Sequence, residues 1–250
     1  MPTQRGQIDS DLFSFIRKVM IMRYPNITKA TFISRENRFV VTVLLNGEQI
    51  KVHVKNTGRC RELLVLGACV YLVKSDNPGR KYLYDLVAVE KGDRLINMDS
   101  QAPNVIFGEF LANGGLLQGI TQIKPEFQFG NSRFDFYFSR GEERHLVEVK
   151  GVTLERDGVC RFPDAPTQRG TKHLRELIEA TKHGYHSWVC FVIQMENAAV
   201  LCPNDDTDPS FGQALRDAAD AGVHILAFSC RVIPGEVTVL REVPLDLTHS

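Results

Sequence analysis

From residue 39 the chain reads as two strands, an almost wholly apolar FVVTVLL and an alternating EQIKVHV, with Asn46-Gly47 between them as the two-residue signal of a tight hairpin. Closing the turn at Leu45 and Glu48 predicts Val43 opposite Ile50, Val41 opposite Val52 and Phe39 opposite Val54, because opposed residues of an antiparallel pair keep a constant sum of positions. One face of that hairpin is apolar, and the other carries Arg38, Lys51, His53 and Lys55. Strand-like runs at 68–73 and 82–89, separated by Gly67, Pro78-Gly79 and Gly92, extend it to a small antiparallel barrel of OB type.

After the polar stretch 97–104 the period changes. A helix is predicted around 105–111, strands at 120–129, 133–138 and 145–149, and a helix over 167–182 with Leu174, Leu177, Ile178 and Thr181 as one stripe. A strand at 188–194, a helix over 209–221 with Pro209 in its first turn and a strand at 223–228 complete an α/β layout, α+β overall, with a mixed central sheet. The expected organisation is a helical extension over 1–28, with Leu12, Phe13, Phe15, Ile16, Val19 and Met20 on one broad apolar side, then the barrel over 29–98 and the α/β domain over 99–250.

Composition excludes a mainly disordered chain: of 250 residues 43% are hydrophobic and 24% charged. Net charge is zero, yet residues 1–100 hold 16 Lys and Arg against 10 acids and residues 101–250 hold 14 against 20. The basic excess concentrates over 51–81, where Lys51, Lys55, Arg59, Arg61, Lys74, Arg80 and Lys81 face only Glu62 and Asp76, with Tyr71, Tyr82 and Tyr84 as stacking surfaces. A barrel holding a polyanion, DNA or RNA, fits this asymmetry, although a merely solvated charged face fits it too. The apolar run 12–22 is broken by Ser14, Arg17 and Lys18, so a cytoplasmic protein without membrane contact is expected, with homo-oligomers left open. Six cysteines without C-x-x-C predict neither disulfides nor zinc, and G-x-x-x-x-G-K-[ST], G-x-G-x-x-G and G-x-S-x-G are all absent. His183-x-x-His186 lacks a third ligand and reads as a surface pair.

Candidate chemistry lies in the strands around 133–149. Asp135 alternates with Phe134, Phe136 and Phe138, and Glu148 and Lys150 alternate with Val147 and Val149. Pairing Phe138 with His145 puts Asp135 opposite Glu148, where two carboxylates at cross-strand distance are unfavourable without a cation between them; oxygen ligands so placed suit Mg²⁺ or Mn²⁺. A solvated hairpin face would show the same alternation. The segment FPDAPTQRGTKHLREL follows and sets Arg169, Lys172 and His173 on a helix beside the hairpin, where bases would meet a phosphate backbone.

The chain resembles the sugar fermentation stimulation protein A (SfsA) family, DNA-binding proteins with a PD-(D/E)xK nuclease-like domain. The resemblance runs through VHVKNTGRCRELLVLGACVYL, INMDSQAPNVIFGEFL, NSRFDFYF, HLVEVKGVTL, FPDAPTQRGTKHLREL and GVHILAF, most of residues 35–230. It implies an OB-like barrel followed by a PD-(D/E)xK nuclease-like domain, with Asp135, Glu148 and Lys150 at the nuclease motif and Glu109 as a further acid near the metal, although an ordinary solvated glutamate fits Glu109 as well. Asp164, Arg169, Lys172 and His173 match characteristic positions. The chain departs from the pattern over residues 1–28 and at Lys55, where proline is common. The function expected is a nucleic-acid-binding, Mg²⁺- or Mn²⁺-dependent nuclease gripping its strand through Lys51, Lys55, Arg59 and Arg61. The alternatives are a non-catalytic DNA-binding regulator of sugar-metabolism genes and a hydrolase of small phosphate esters, which would leave the barrel without a purpose.

Overall fold

In the computed structural model, which describes residues 21–56 and 58–248, Asn46 and Gly47 take φ of 52° and 87°, the left-handed pair that closes a two-residue hairpin. It joins β3 (Val40–Leu45) to β4 (Glu48–Val54) in the predicted register, Leu45 opposite Glu48, Val43 opposite Ile50 and Val41 opposite Val52. Val41, Val43, Val52 and Val54 are fully buried, whereas Phe39, just outside the strand, is exposed. β2 (Ile27–Asn37) pairs with β3 and with β5 (Cys69–Lys74), and β5 pairs with β6 (Tyr84–Lys91), which runs on to β7 (Arg94–Asn97). A parallel contact of β4 with β6, His53 opposite Asp85 and Val54 opposite Leu86, closes the five-stranded barrel of OB type.

Of the helical extension expected over 1–28, residues 1–20 lie outside the described residues, and the end of it is a strand: β1 (Ile21–Arg23) is the edge of the second sheet. Its three residues are held by ladder bonds to β16 (Glu236–Glu242) rather than by helical ones.

The second domain contains α1 (Ala102–Ala112), β8 (Gln122–Phe129), β9 (Ser132–Arg140), β10 (Glu143–Val152), α2 (Gln168–Lys182), β13 (Tyr185–Ile193), α3 (Pro209–Asp220) and β15 (His224–Ile233). Its seven-stranded sheet has the order β1-β16-β15-β13-β10-β9-β8, with β10, β13 and β15 parallel and the flanking pairs antiparallel: a mixed sheet, as expected. Not anticipated was a small sheet of β11 (Glu155–Arg156), β12 (Val159–Phe162) and β14 (Val200–Pro203).

Each sheet face is covered. Ile106, Phe107, Phe110 and Leu111 of α1 pack on Phe136, Phe138, Val147, Val149, Cys190 and Phe228. On the opposite face Leu174, Leu177 and Ala180 of α2 and Phe211 and Leu215 of α3 pack on Leu146, Val189 and Phe191, and that apolar cluster is continuous with the barrel interior. Thr167 caps α2 by accepting Gly170 N–H, and Asp208 caps α3 by accepting Phe211 N–H. All six cysteines are free thiols, five of them buried. Among the described residues no helix is long and apolar enough to cross a membrane.

Candidate active site

Strands β9 and β10 bring the predicted pair together. Phe138 lies opposite His145 as expected, and the ladder continues to Phe136 opposite Val147. Beyond that the strands part, and Asp135, next in register, reaches across with Oδ2 to accept Val149 N–H at 2.7 Å. The expected single aromatic face divides at the same point: Phe136 and Phe138 join the α1 side, while Phe134 joins the other cluster, edge-on to His173 with ring centroids 5.7 Å apart. Strict alternation ends where the partner strand leaves.

Glu148 is 4% exposed. Its Oε1 accepts from Lys150 Nζ at 2.6 Å and faces His173 Nδ1 at 2.5 Å, whereas its Oε2 is buried with no hydrogen-bond partner. Arg169 Nε donates to His173 Nε2 at 3.4 Å, which leaves the imidazole proton on Nδ1 for Glu148. Burial pushes the Glu148 pKa up, but the His173 hydrogen bond and the Lys150 charge outweigh it and hold the group below its ordinary value. Asp135 moves the other way: burial and then the Glu148 charge raise its pKa against the Val149 and Asn104 hydrogen bonds. The two carboxylates therefore feel each other as like charges in a dry site.

The α1 residue that hydrogen-bonds to the pair is Asn104, in the first turn, which donates to Asp135 Oδ1 at 2.7 Å. Glu109 sits five residues further on, about 7.5 Å along the axis and well round the helix. His173 is no surface base for a phosphate backbone, since it is 4% exposed and turned onto Glu148. Lys172 points away from the pair, donating to Asn131 O at 3.0 Å, because it lies one position round α2 from His173. Arg169 is exposed above His173 and remains available to solvent on that side.

The barrel cations also divide. Lys51 pairs with Glu36 at 3.4 Å. Lys55 is drawn into the junction between domains, pairing with Asp99 at 3.3 Å and Asp85 at 3.9 Å, because Asp99 is 1% exposed and a buried carboxylate requires a counter-charge. By contrast, Arg59 and Arg61 line a groove with Arg35 and Arg38. The Arg35 guanidinium ties that groove together by donating to the carbonyls of Asn37, Arg38, Asn56 and Arg59. Among the described residues no carboxylate lies within ion-pair distance of Arg38, Arg59 or Arg61. Asp164 sits beneath the turn carrying Gly58, where a Cβ would collide with its carboxylate. Burial raises its pKa, countered in part by Arg59 and Arg35. Sequence reasoning missed Asn104, whose only signal was its place in the quoted segment APNVIF, and missed Arg35, which looks like any strand arginine. His183 and His186 stay apart in function: His183 Nδ1 bonds Glu179 O, and His186 stacks on His145 with centroids 4.8 Å apart.

An OB-type barrel joined to a mixed α/β domain whose parting strands carry D…E-x-K is one definite class of two-domain protein. Comparison with known proteins gives the same division: residues 33–98 match the SfsA N-terminal OB domain, and residues 101–236 match the Sugar fermentation stimulation protein RE domain. The chain is 49% identical over 218 residues to the Sugar fermentation stimulation protein homolog of Clostridium beijerinckii, covering 87% of this chain and 96% of that one. It is 53% identical over 211 residues to the homolog of Desulfitobacterium hafniense strain Y51, covering 84% and 92%. The solved structure of Pyrococcus furiosus SfsA in complex with Ca²⁺ superposes with a TM-score of 0.83 at 27% identity, over 90% of this chain and 98% of that one. The chain belongs to the sugar fermentation stimulation protein (SfsA) family.

Proposed function

We propose that the protein is a divalent-metal-dependent nuclease that holds DNA or RNA on its barrel and hydrolyses a phosphodiester at Asp135, Glu148 and Lys150, working in the cytoplasm, where a reducing pool suits six free thiols. The observation that carries the reading is the Glu148 Oε2: a buried carboxylate oxygen with no partner, in a group whose charge a second carboxylate feels, is a ligand atom suited to a cation. The Pyrococcus furiosus relative was solved with Ca²⁺, a cation that takes the same oxygen donors.

Asp135 and Glu148 would hold Mg²⁺ or Mn²⁺, which supplies neutralisation of charge at the scissile phosphate. The chain's own groups do the positioning. Asn104 and the Val149 amide fix both oxygens of Asp135, and His173 fixes the rotamer of Glu148. Lys150, its ammonium 2.6 Å from Glu148 Oε1, stabilises phosphoryl oxygens as negative charge accumulates on them. The Arg35, Arg38, Arg59 and Arg61 groove takes the phosphate backbone.

One observation favours the rival reading, a DNA-binding regulator that keeps the fold without the chemistry: among the described residues no group of three or more His, Cys, Asp or Glu converges as it does around a fully protein-held ion. Labelled single- and double-stranded DNA and RNA, incubated with the purified protein in Mg²⁺, Mn²⁺ or EDTA, separate the two. Cleavage in either metal that disappears in EDTA and in Asp135→Ala is the expected result, and nucleic-acid binding without cleavage in any metal supports the regulator.

A further inference from the structure

Lys150 is followed on β10 by Gly151, and Gly151 forms a wall of a separate cleft, between barrel and α/β domain, lined by Asn56, Ser100, Thr153, Arg161, Asp164 and Gln194. The cleft and the carboxylate pair adjoin through consecutive residues of β10. A Cβ on Gly151 would lie 2.7 Å from Pro103 Cγ and 3.1 Å from Gln194 Oε1, and the residue after Pro103 is the Asn104 that holds Asp135. The cleft is thus one residue from the site along β10 and one along α1.

We propose that this cleft receives one unpaired nucleobase of the strand bound for cleavage, so that the protein acts on single strands and frayed ends in preference to intact duplex. The inference rests on the nuclease reading and adds its substrate class. Size is the first argument: a cavity of ≈ 110 Å³ accommodates a single heteroaromatic ring but not a base pair. Chemistry is the second. Asp164 and Arg161 in the wall offset each other in charge, so the cleft has no net positive charge to draw in the anionic part of a nucleotide. Asn56, Thr153 and Gln194 offer the neutral donors and acceptors that match ring N–H and C=O groups. The Gln194 amide nitrogen is already held by Asn97 O and Oδ1 at 2.6 and 3.2 Å, which fixes the side chain and orients its Oε1.

Continuity is the third argument. Asn56 lines the cleft, and its carbonyl accepts from Arg35, whose guanidinium also holds Arg59 O in the arginine groove. One short turn of the barrel therefore has phosphate-binding cations on one side and a base-sized cleft on the other. A strand crossing that turn has its backbone in the groove and one base turned inward, which requires that base to be out of a duplex stack.

The test is binding of single-stranded oligonucleotides in Ca²⁺, each with one nucleotide in turn replaced by an abasic residue, to the wild type and to Ser100→Trp and Leu154→Trp, whose indoles would fill the cleft. Ser100 is exposed, so its variant is the one least able to disturb the fold; melting curves accompany both. In the wild type one abasic position is expected to weaken binding about tenfold and the others less than twofold. In the filled variants that position is expected to lose its distinction. Binding with no distinguished position, or a distinction that survives filling, overturns the cleft assignment and leaves the nuclease reading standing. No binding to any oligonucleotide overturns both.

Discussion

Two buried glutamates lie seven positions apart, and they are opposites. Glu155, at the start of β11, is 2% exposed and has every oxygen answered: Lys91 Nζ and Arg94 Nη2 each reach Oε2 at 2.9 Å, and Gly158 N–H reaches Oε1 at 2.6 Å. Glu148 is as deeply buried, yet one oxygen has no partner. The cations on Glu155 come from the β6–β7 hairpin of the barrel, so that carboxylate clasps the two domains together. Burial is common to both; what separates a structural charge from a poised one is whether the fold itself completes its coordination.

The largest expected effect separates them by function. Glu148→Gln is expected to lower metal-dependent cleavage by about 10³-fold, roughly 4 kcal/mol of transition-state stabilisation, with the smaller fall in melting temperature of the two variants, because relief of the repulsion with Asp135 offsets the loss of the Lys150 and His173 contacts. Glu155→Gln should do the reverse. Leaving Lys91 and Arg94 without their carboxylate costs about 3 kcal/mol, a fall in melting temperature of about 6 to 12 °C for a chain of this size, with cleavage by the remaining folded protein nearly unchanged. Calorimetry and turnover measured on both variants decide it, and a cleavage defect in Glu155→Gln as deep as that in Glu148→Gln would collapse the distinction.

Acid sharpens the same comparison. Burial raises the Glu155 pKa, but Arg94, the Gly158 amide and Lys91 overcome it and bring the group down to about 2. A carboxylate whose folded pKa is depressed contributes stability above its unfolded pKa and loses it as pH falls through the folded one. The gap in melting temperature between wild type and Glu155→Gln is therefore expected to be complete at pH 6 and to shrink from about pH 4.5 towards pH 2. A gap that holds constant over that range would mean that Glu155 acts through its shape and not its charge.

These distinctions lie at the limit of what the sequence carries. The β3–β4 hairpin was legible to the residue because an Asn-Gly turn leaves one register, and the Phe138–His145 pairing was legible because opposed residues keep a constant sum of positions. The stripe of α2 was legible as well, with Leu174 and Leu177 both fully buried. β2 was not, because TFISREN carries charge on a strand interrupted at Phe32/Ser34 and Arg35/Asn37, which breaks the alternation. Nor were the contacts that give the site its character. Asn104 meets Asp135 across 31 positions, His173 meets Glu148 across 25 and Lys55 meets Asp99 across 44. Local pattern decides which face a side chain takes, whereas its partner depends on how separate elements pack.

The smallest expected effect carries the comparison over to the cations. Lys51, Lys55, Arg59 and Arg61 look alike in the sequence, but Lys51 and Lys55 already face carboxylates whereas Arg59 and Arg61 line the groove without one among the described residues. A phosphate contact reveals itself by the counterions it releases, and each one lost lowers the slope of log K against log salt by about 0.7 for single strands and 0.9 for duplex. Arg59→Ala with Arg61→Ala is therefore expected to flatten the slope by up to about 1.4 to 1.8, equally for unrelated sequences, because such contacts do not read bases. Lys51→Ala with Lys55→Ala should flatten it by less than half as much, since displacing Glu36 and Asp99 to free these amines for phosphate offsets the gain. The Lys55 change should instead appear as lost stability, for it leaves Asp99 buried without its cation. Titrations of both double variants at several salt concentrations in Ca²⁺ give the answer. Equal flattening by the two would show that the ion pairs open freely to nucleic acid, and the line between committed and available charge would then hold for the carboxylates alone.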